Sequence, residues 1–410
     1  MKKHFITIIL IALFFKNNAQ VKILFDARKA ESAGNADWVI DADVRNLYFS
    51  NTGGYSTFGT QSNAQRFPTP AQSGITSSSS ETYWDGGISA LAVDMAKLGY
   101  QVESLPYNVA ITYSNSSNPQ DLSNYKIYVV CEPNIVFNST EKTAIMNFVK
   151  NGGSLFMISD HRVSDRNFDG WDSPQIWTDL MNNNSVQNNA FGIMFDTAQV
   201  AGNFSGTFNY PSTNVLDSLT HGPGGTCTQV KWSGGTRMTL NPSQNASVVG
   251  DFFRYSPGSG NTDVLMAHAR FFNGKVAAIG DSSPLDDATG DPGDVLYNGY
   301  FTDAAGNHQK LLINTMVWLA QGATSAVGVK DYSIIKNSIT LYPNPSSNFI
   351  NIITTETINS FEIINYLGQK INVKMIDSKI DVTDIDNGCY IFRIFTDKGI
   401  TLKKFIKTNN

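Results

Sequence analysis

The stretch YKIYVVCEPNIVFNSTEKTAIMNFVKNGGSLFMIS, residues 125–159, decides the fold, because it holds a strand, a helix and a second strand in succession. YKIYVVC (125–131) and SLFMIS (154–159) are continuous apolar runs, as expected of strands that are buried on both faces. STEKTAIMNFVKNGG (139–153) has a helical pattern, with Ser139 as the predicted N-cap and two glycines as the stop signal. This order predicts two parallel strands of one sheet.

The same alternation continues on both sides of this stretch. Further strands are predicted at VKILFD (21–26), QVESLP (101–106) and GKVAAIGD (274–281), and further helices at 84–100 and 308–322. The pattern predicts an α/β domain over residues 20–322, with a mostly parallel, doubly wound sheet covered by helices on both faces. The Asn-, Ser- and Gly-rich stretch 183–270 is predicted to be a β-rich insertion or an extension of the sheet. Residues 45–80 are expected to form a long surface loop.

Length and composition indicate an exported protein with more than one domain. The 410 residues suggest two or three domains, and an apolar content of 41% is enough for a substantial core. The net charge is −5 without a basic block, so we expect no nucleic acid among its partners. The start, MKKHFITIILIALFFKNNAQ, is predicted to be a secretory signal peptide at residues 1–19. No later apolar run approaches about 18 residues, so we expect no transmembrane segment in the mature chain.

Residues 338–410 carry a set of motifs that belong together in one family. They are LYPNP (341–345), the LGQ turn (367–369), NGCYIFRI (387–394) and KKFIK (403–407). On these motifs the tail resembles the type IX secretion C-terminal sorting domain. The resemblance implies a small β-sandwich that is recognised by the type IX secretion machinery. It also implies a protein that crosses the periplasm and is secreted or held at the outer-membrane surface. Residues 323–337 are the predicted linker.

Polar side chains follow four of the predicted strands at what should be one edge of the sheet. They are Asp26, Cys131 with Glu132, Asp160 with His161, and Asp281 with Ser282. Ligands of parallel sheets bind at the carboxyl ends of the strands, although Asp also favours turns. His161 is the candidate general acid or base, tuned by Asp160 or Asp281, because histidine titrates near neutral pH. The candidate catalytic residues are Asp26, Glu31, Asp160, His161, Asp281 and Ser282.

The loop after the first predicted strand has two interpretations. In the first, Arg28 and Lys29 lie over a crevice and pair with an acidic substrate. In the second, the segment begins a helix, and Glu31 and Asp37 are simply solvated. The sequence does not choose between them.

Two residues at the predicted edge are weak candidates for a nucleophile. Ser282 lacks a GxSxG motif, and it could instead cap a helix or hold a ligand. Cys131 is expected to be a packed core cysteine, because Glu132 beside it opposes formation of a thiolate. A Cys131–Cys227 disulfide is left open.

The loop after SLFMIS contains the pattern D-x-N-x-D-G-x-D, which is typical of a calcium loop. Alternating oxygen ligands converge on one ion, and a glycine permits the sharp turn between them. The predicted ligands are Asp165, Asn167, Asp169, Asp172 and the backbone carbonyl of Trp171. The twelfth position is Ile176 rather than the Glu of an EF-hand. The alternative is a surface loop built from Asx turns, which needs no ion.

The predicted order of elements, the first strand ending in Asp26 and the run VKNGGSLFMISDH (149–161) resemble the class I glutamine amidotransferase-like superfamily. This flavodoxin-like superfamily includes secreted members related to ThuA and to β-galactosidase middle domains. In true amidotransferases the turn after the fourth strand holds a nucleophilic Cys between glycines, whereas here the turn reads ISDHR. No His-x-Glu pair follows the last strand, so glutamine hydrolysis by that mechanism is not expected.

Two functions from different classes are consistent with these residues. The first is a hydrolase that acts on an extracellular glycan, glycoside or ester through the acids and His161 at the sheet edge. The second is a non-catalytic, calcium-stabilised module that binds a carbohydrate or a partner protein. Trp84, Trp171 and Trp177 would stack on sugar rings in either case, or would pack in the core.

Overall fold

The described part of the chain covers most of the α/β region and of the tail. The computed structural model describes residues 20–29, 31–33, 36–40, 47–49, 55–58, 70–106, 108–197, 204–290, 297–302, 304, 306–321, 339–354, 357–365, 370–376, 379–396 and 399–408. The predicted signal peptide, the linker, the LGQ turn and half of the predicted loop 45–80 lie outside these residues.

Strands and helices alternate in the α/β region as predicted. Its helices are α1 (Ser89–Lys97), α2 (Ser139–Lys150), α3 (Ser173–Asn182) and α4 (His308–Ala320). Within the described ranges, ten strands form the central sheet: β1 (Lys22–Ala27), β2 (Gln101–Pro106), β3 (Ile127–Cys131), β4 (Ser154–Ile158), β5 (Ile193–Phe195), β6 (Tyr210–Pro211), β7 (Met238–Leu240), β8 (Val249–Phe253), β9 (Val264–Phe271) and β10 (Gly274–Ile279).

The sheet has a parallel part and an antiparallel extension. Strands β10, β4, β3, β1 and β2 run parallel in that order. VKILFD and YKIYVV are parallel neighbours, with Ile23 opposite Ile127, which confirms the predicted pairing. On the other side of β10 lie β9, β8 and β6, all antiparallel to their neighbours, and β7 joins β9 to β5. The β-rich stretch 183–270 therefore extends the sheet.

Both faces of the parallel sheet are covered by helices. Val129 and Cys131 of β3 pack in the layer that contains α1 and α4, whereas Tyr128 and Val130 pack in the layer of α2 and α3. A strand that is buried on both faces has to be apolar at every position, which explains the continuous run IYVVC. The predicted mixed α/β sheet with helices on both faces is thus confirmed.

Helix α2 begins one residue earlier than the sequence suggests. Its N-cap is Asn138 rather than Ser139, which is the first helical residue. Asn138 Oδ1 accepts a hydrogen bond from the Glu141 N–H at 3.0 Å, and Glu141 Oε2 accepts one from the Asn138 N–H at 2.9 Å. This reciprocal capping box satisfies two N–H groups of the first turn, whereas a Ser139 cap would satisfy one.

Several small elements surround the central sheet. Antiparallel pairs join Ser32–Ala33 with Ala36–Asp37, Leu47–Phe49 with Tyr55–Phe58, Phe204–Phe208 with Val230–Gly235, and His221–Gly222 with Gly225–Thr226. Short 3₁₀ helices occupy Pro70–Gly74, Glu81–Tyr83, Leu122–Asn124 and Ser283–Leu285.

The described residues of the tail form two four-stranded antiparallel sheets. The first runs in the order Ile339–Tyr342, Phe349–Thr354, Lys379–Asp381 and Lys374–Ile376. The second runs in the order Lys370–Ile371, Ile358–Asn365, Gly388–Thr396 and Gly399–Lys407. Ile350 of the first sheet and Phe392 of the second belong to one buried cluster, so the two sheets share a core. Among the described residues, none of the helices is both long enough and apolar enough to cross a membrane.

Candidate functional site

Four adjacent parallel strands end in buried acids. Asp26 lies at the end of β1, Glu132 immediately follows β3, and Asp160 and Asp281 come two residues after the ends of β4 and β10. Because these strands are parallel neighbours, their carboxyl ends lie along one edge of the sheet, which we call the carboxyl edge. The sequence placed the same four acids there.

Glu132 lies at the centre of the carboxyl edge and is fully buried. Its Oε2 accepts hydrogen bonds from Trp38 Nε1 at 2.7 Å and from Ser282 Oγ at 2.9 Å. No N–H or O–H donor of the described residues is in hydrogen-bond geometry to its Oε1. The buried carboxyl of Asp160 follows the neighbouring strand, and its charge acts on Glu132. Two neighbouring carboxyls can share a hydrogen bond only if one of them is protonated.

The pKa values of these acids are raised because the edge is dry and crowded with negative charge. Burial, followed by the charge of Asp281, raises the pKa of Asp160 to about 7. Burial, followed by the charge of Asp160, raises the pKa of Glu132 well above its usual value. Burial raises the pKa of Asp281 to about 6, although its carboxylate accepts hydrogen bonds from the Ser233 and Ser283 N–H groups. Both acids of the pair are therefore more easily protonated near neutral pH than exposed acids are.

Two basic side chains border the Glu132–Asp160 pair, and both reach solvent. The side chains of His161 and Arg166 are 24% and 25% exposed. Arg166 Nη2 lies 3.4 Å from Asp160 Oδ2, and Arg166 Nε lies 3.5 Å from Glu132 Oε1. His161 Nε2 lies 3.7 Å from Asp160 Oδ2, while its Nδ1 lies 2.6 Å from the Arg162 carbonyl oxygen. A carbonyl can only accept a hydrogen bond, so the proton of the neutral ring is on Nδ1 and Nε2 faces the acid pair.

The raised pKa of Asp160 predicts how stability depends on pH. Between about pH 4 and pH 7 the folded chain keeps a proton that the unfolded chain releases, so this group stabilises the fold most on the acidic side. Its contribution is lost as the pH rises through 7. We expect the free energy of unfolding of Asp160→Asn to depend less on pH over this range. The slope should be smaller than that of the wild type by up to about 1.4 kcal/mol per pH unit. Urea unfolding at several pH values measures this, and equal slopes for the variant and the wild type would contradict it.

Asp26 and Glu31 form a second carboxyl pair beside the first. Asp26 accepts hydrogen bonds from the Tyr128 hydroxyl and the Arg28 N–H, and Glu31 Oε1 accepts one from the Lys29 N–H at 3.1 Å. Burial raises the pKa of Asp26, and burial together with the charge of Asp26 raises the pKa of Glu31 well above its usual value. The second interpretation of this segment is wrong, because Glu31 is buried rather than solvated and the described residues Ser32–Ala33 form a strand rather than a helix.

The two cations of this segment already have an internal partner. Lys29 Nζ lies 2.5 Å from Glu141 Oε2, and Arg28 Nε lies 3.2 Å from Glu141 Oε1. Lys29 is itself buried. The interpretation that Lys29 binds an acidic substrate is therefore wrong, because its charge is used to hold α2 against the end of β1.

Ser282 and Cys131 are held as structural groups rather than as nucleophiles. The Ser282 hydroxyl donates to Glu132, and its side chain caps no helix. Burial, followed by the charge of Glu132, raises the pKa of the Cys131 thiol well above its usual value, which opposes formation of a thiolate. Cys131 and Cys227 are both buried and are not bonded to each other.

The side chains of the acidic loop turn back onto the loop itself. Asp165 Oδ2 accepts the Gly170 N–H at 2.8 Å, and Asp169 Oδ1 accepts the Trp171 N–H at 2.9 Å. Asn167 Nδ2 donates to Asp169 Oδ2 at 2.9 Å. Asp172 caps α3 through its Oδ1 and pairs with Arg162 through its Oδ2. The loop thus has the Asx turns of the alternative interpretation, with the oxygens of Asp165 and Asp169 at the surface.

The predicted aromatic residues divide into core and surface. Trp84 and Trp177 are buried, and Trp177 Nε1 donates to the Ile158 carbonyl oxygen at 3.0 Å. Trp171 is 37% exposed and lies in the acidic loop. Only Trp171 of the three is therefore placed to stack on a ligand.

Sequence reasoning placed Glu132 at the carboxyl edge without a role in the site, and it missed two other contributors. Glu132 immediately follows β3, but its only predicted effect was to oppose formation of a Cys131 thiolate. Arg166 lies within the predicted calcium pattern, and nothing in the sequence indicates that it turns toward Glu132. Trp38 is distant along the chain, and its hydrogen bond to Glu132 has no sequence signal.

Comparison with known proteins identifies the tail and little else. Residues 340–408 match the family described as "Secretion system C-terminal sorting domain". The protein is therefore exported to the cell surface or beyond, and its tail implies recognition by the type IX secretion machinery. No curated protein matches the chain.

Three solved structures are distantly similar to the chain. The mmIFT52 N-terminal domain is 13% identical, with a TM-score of 0.41 over 73% of this chain and 98% of that one. A cytoplasmic protein from Salmonella typhimurium is 14% identical, with a TM-score of 0.38 over 57% and 87%. A β-galactosidase from the Antarctic haloarchaeon Halorubrum lacusprofundi is 13% identical, with a TM-score of 0.29 over 77% and 37%. These TM-scores are too low for any inference about function.

Proposed function

We propose that the carboxyl edge is a hydrolytic site in which Glu132 and Asp160 act as an acid–base pair on an extracellular substrate. The proposal depends on one observation, two neighbouring buried carboxyls that both lie within 3.5 Å of the Arg166 guanidinium. A pair that shares one proton presents a general acid and a general base together near neutral pH. Burial of two carboxyls lowers the stability of the fold, so a purely structural role does not account for their position.

In this proposal each group has a defined role in the transfer of protons. The Asp160 carboxylate takes a proton from water as the water oxygen bonds to the substrate carbon. The Glu132 carboxyl gives its proton to the oxygen that leaves as the old carbon–oxygen bond breaks. His161 Nε2 faces Asp160 and can pass the proton on to solvent. Arg166 is placed to stabilise negative charge on the reacting oxygens.

The position of the pair in the sheet supports a binding site there. The parallel strands are in the order β2, β1, β3, β4, β10, which is the order of flavodoxin-like sheets. Such sheets bind ligands where the strand order reverses, here between β1 and β3, and Glu132 is at the end of β3. We infer a flavodoxin-like core on this basis. Glycans, glycosides and esters are the substrate classes that we propose for an exported hydrolase.

A second candidate function is a non-catalytic binding module. The observation that favours it is that Glu132 is fully buried and that its Oε2 already has two donors. In that case the acids at the edge position loops, and exposed side chains such as Trp171 contact a carbohydrate or a partner protein.

A screen for turnover and binding distinguishes the two functions. The full chain is incubated with soluble glycans, aryl glycosides and acyl esters, and both product release and binding are measured. Turnover that is lost in Glu132→Gln supports the hydrolase. Binding of a glycan without turnover of any substrate supports the module.

We also propose that the acidic loop binds calcium through Asp165, Asn167 and Asp169. Calcium that binds only the folded chain should raise the melting temperature, and Asp165→Asn should abolish this rise. Asp196→Asn, which alters an acid outside the loop, is the matched control. Differential scanning calorimetry with a chelator and with millimolar calcium measures the effect. Equal melting temperatures for the wild type in both conditions would rule out the site.

A further inference from the structure

Three side chains that are suited to binding a metal lie together away from the carboxyl edge. Asp251 is on β8, His268 is on the neighbouring β9, and Asp217 comes from the loop that precedes the hairpin His221–Gly222 and Gly225–Thr226. One potential ligand atom from each lies within 4.8 Å of the other two. Among the described residues, no other group of three His, Cys, Asp or Glu side chains meets the same distance limit.

Two carboxylate oxygens in the group are buried without a donor. Asp251 Oδ1 lies 2.7 Å from His268 Nδ1, but no donor of the described residues reaches Asp251 Oδ2. Asp217 Oδ1 accepts the Leu219 and Thr220 N–H groups at 2.8 and 3.1 Å, whereas its Oδ2 also lacks a donor. Asp251 is fully buried and Asp217 is 4% exposed. Buried carboxylate oxygens without a partner are costly, so this arrangement calls for a positive charge between them.

We propose that Asp217, Asp251 and His268 form a binding site for a zinc-like divalent cation. Two carboxylate oxygens and one imidazole nitrogen are three protein ligands of the kinds that zinc takes, and they leave a fourth position for water. The imidazole disfavours magnesium and calcium, which prefer oxygen ligands. The absence of thiolate in the set disfavours copper(I).

The cluster needs a small adjustment to hold the ion. Two ligands that are each about 2.1 Å from zinc in tetrahedral geometry lie about 3.4 Å apart. Asp251 Oδ1 and His268 Nδ1 are 2.7 Å apart, so they separate by about 0.7 Å as the ion replaces the hydrogen bond between them. The His268 ring packs edge-on against Trp318 of α4 with a centroid separation of 4.8 Å, which restrains its orientation.

The bound ion would fasten the 217–220 loop to the antiparallel part of the sheet. Asp251 and His268 are on paired strands, whereas Asp217 is the ligand that comes from a loop. The site therefore stabilises the folded chain, and it is independent of hydrolysis at the carboxyl edge.

Zinc binding by the full chain, purified without a histidine tag, tests the site. We expect about one zinc ion per chain by native mass spectrometry, together with a zinc-dependent rise in melting temperature. Asp217→Asn should weaken zinc binding by at least about 100-fold in calorimetric titration, because loss of a ligand costs more than loss of an outer partner. Asn can still accept the Leu219 and Thr220 N–H groups, so this variant should fold.

A second variant and a matched control complete the experiment. His268→Gln should also lose zinc, whereas His221→Ala, which removes an exposed histidine nearby, should retain it. Circular dichroism confirms that each variant is folded. A wild-type chain that binds no zinc, or zinc binding that is unchanged in both Asp217→Asn and His268→Gln, would overturn the proposal.

Discussion

Deletion of residues 338–410 is expected to leave the protein in the periplasm and to remove it from the medium and the cell surface. The tail matches the sorting domain family over residues 340–408, and it carries a buried core of its own, in which Tyr390 and Phe405 stack at 5.1 Å. We expect the secretion machinery to recognise this folded unit. Deletion should therefore abolish transport across the outer membrane. Immunoblots of medium, surface and periplasmic fractions measure it.

Two controls separate a sorting defect from instability. The truncated chain should accumulate in the periplasm in protease-resistant form, because the sheet and helices of the α/β region are intact. Val215→Ser, which changes an exposed residue of that region, should be exported normally. Release of the truncated chain at the wild-type level would show that the tail does not direct export.

Asp160→Asn is expected to reduce kcat on any hydrolysed substrate by roughly 10²- to 10⁴-fold, which is the usual contribution of a general acid or base. Asn occupies nearly the same volume as Asp, but it cannot accept the proton of the attacking water. Because Asp160 is buried, KM should change much less than kcat. Initial rates with a substrate identified in the screen measure the effect.

The control for this prediction is another buried acid with similar surroundings. Asp94 on α1 accepts hydrogen bonds from the Tyr300 hydroxyl at 2.6 Å and from Gln309 Nε2 at 2.9 Å, and it is not at the carboxyl edge. Asp94→Asn should leave kcat unchanged. If Asp160→Asn and Asp94→Asn reduce kcat equally, the effect comes from general destabilisation, and Asp160 is not catalytic.

The parallel part of the fold could be predicted because its signals are local. Strands β3 and β4 are buried on both faces, so each appears in the sequence as an unbroken apolar run. Parallel pairing then places the residues after these strands at one edge, which is how Asp160 and Asp281 were assigned to the same site. The antiparallel strands of the stretch 183–270 are short and partly polar, so their pairing could not be derived.

The chemistry of the site could not be predicted, because it depends on contacts between distant segments. The position of Glu132 after β3 was visible, but its hydrogen bonds to Trp38 and Ser282 arise only in the folded chain. Glu31 was predicted either to be a catalytic residue of the crevice or to be solvated, and it is buried. Arg166 belongs to a loop that resembles a calcium site, yet its side chain lies 3.5 Å from Glu132.

The pH dependence of kcat/KM for the wild type and for Glu132→Gln tests the acid–base pair most directly. A pair that shares one proton predicts a bell-shaped profile in the wild type, whose limbs report the two ionisations of the pair. Glu132→Gln should lower kcat/KM by at least about 100-fold and abolish the limb that reports loss of the shared proton. A Glu132→Gln profile with the same height and the same two limbs as the wild type would contradict the catalytic role of the pair.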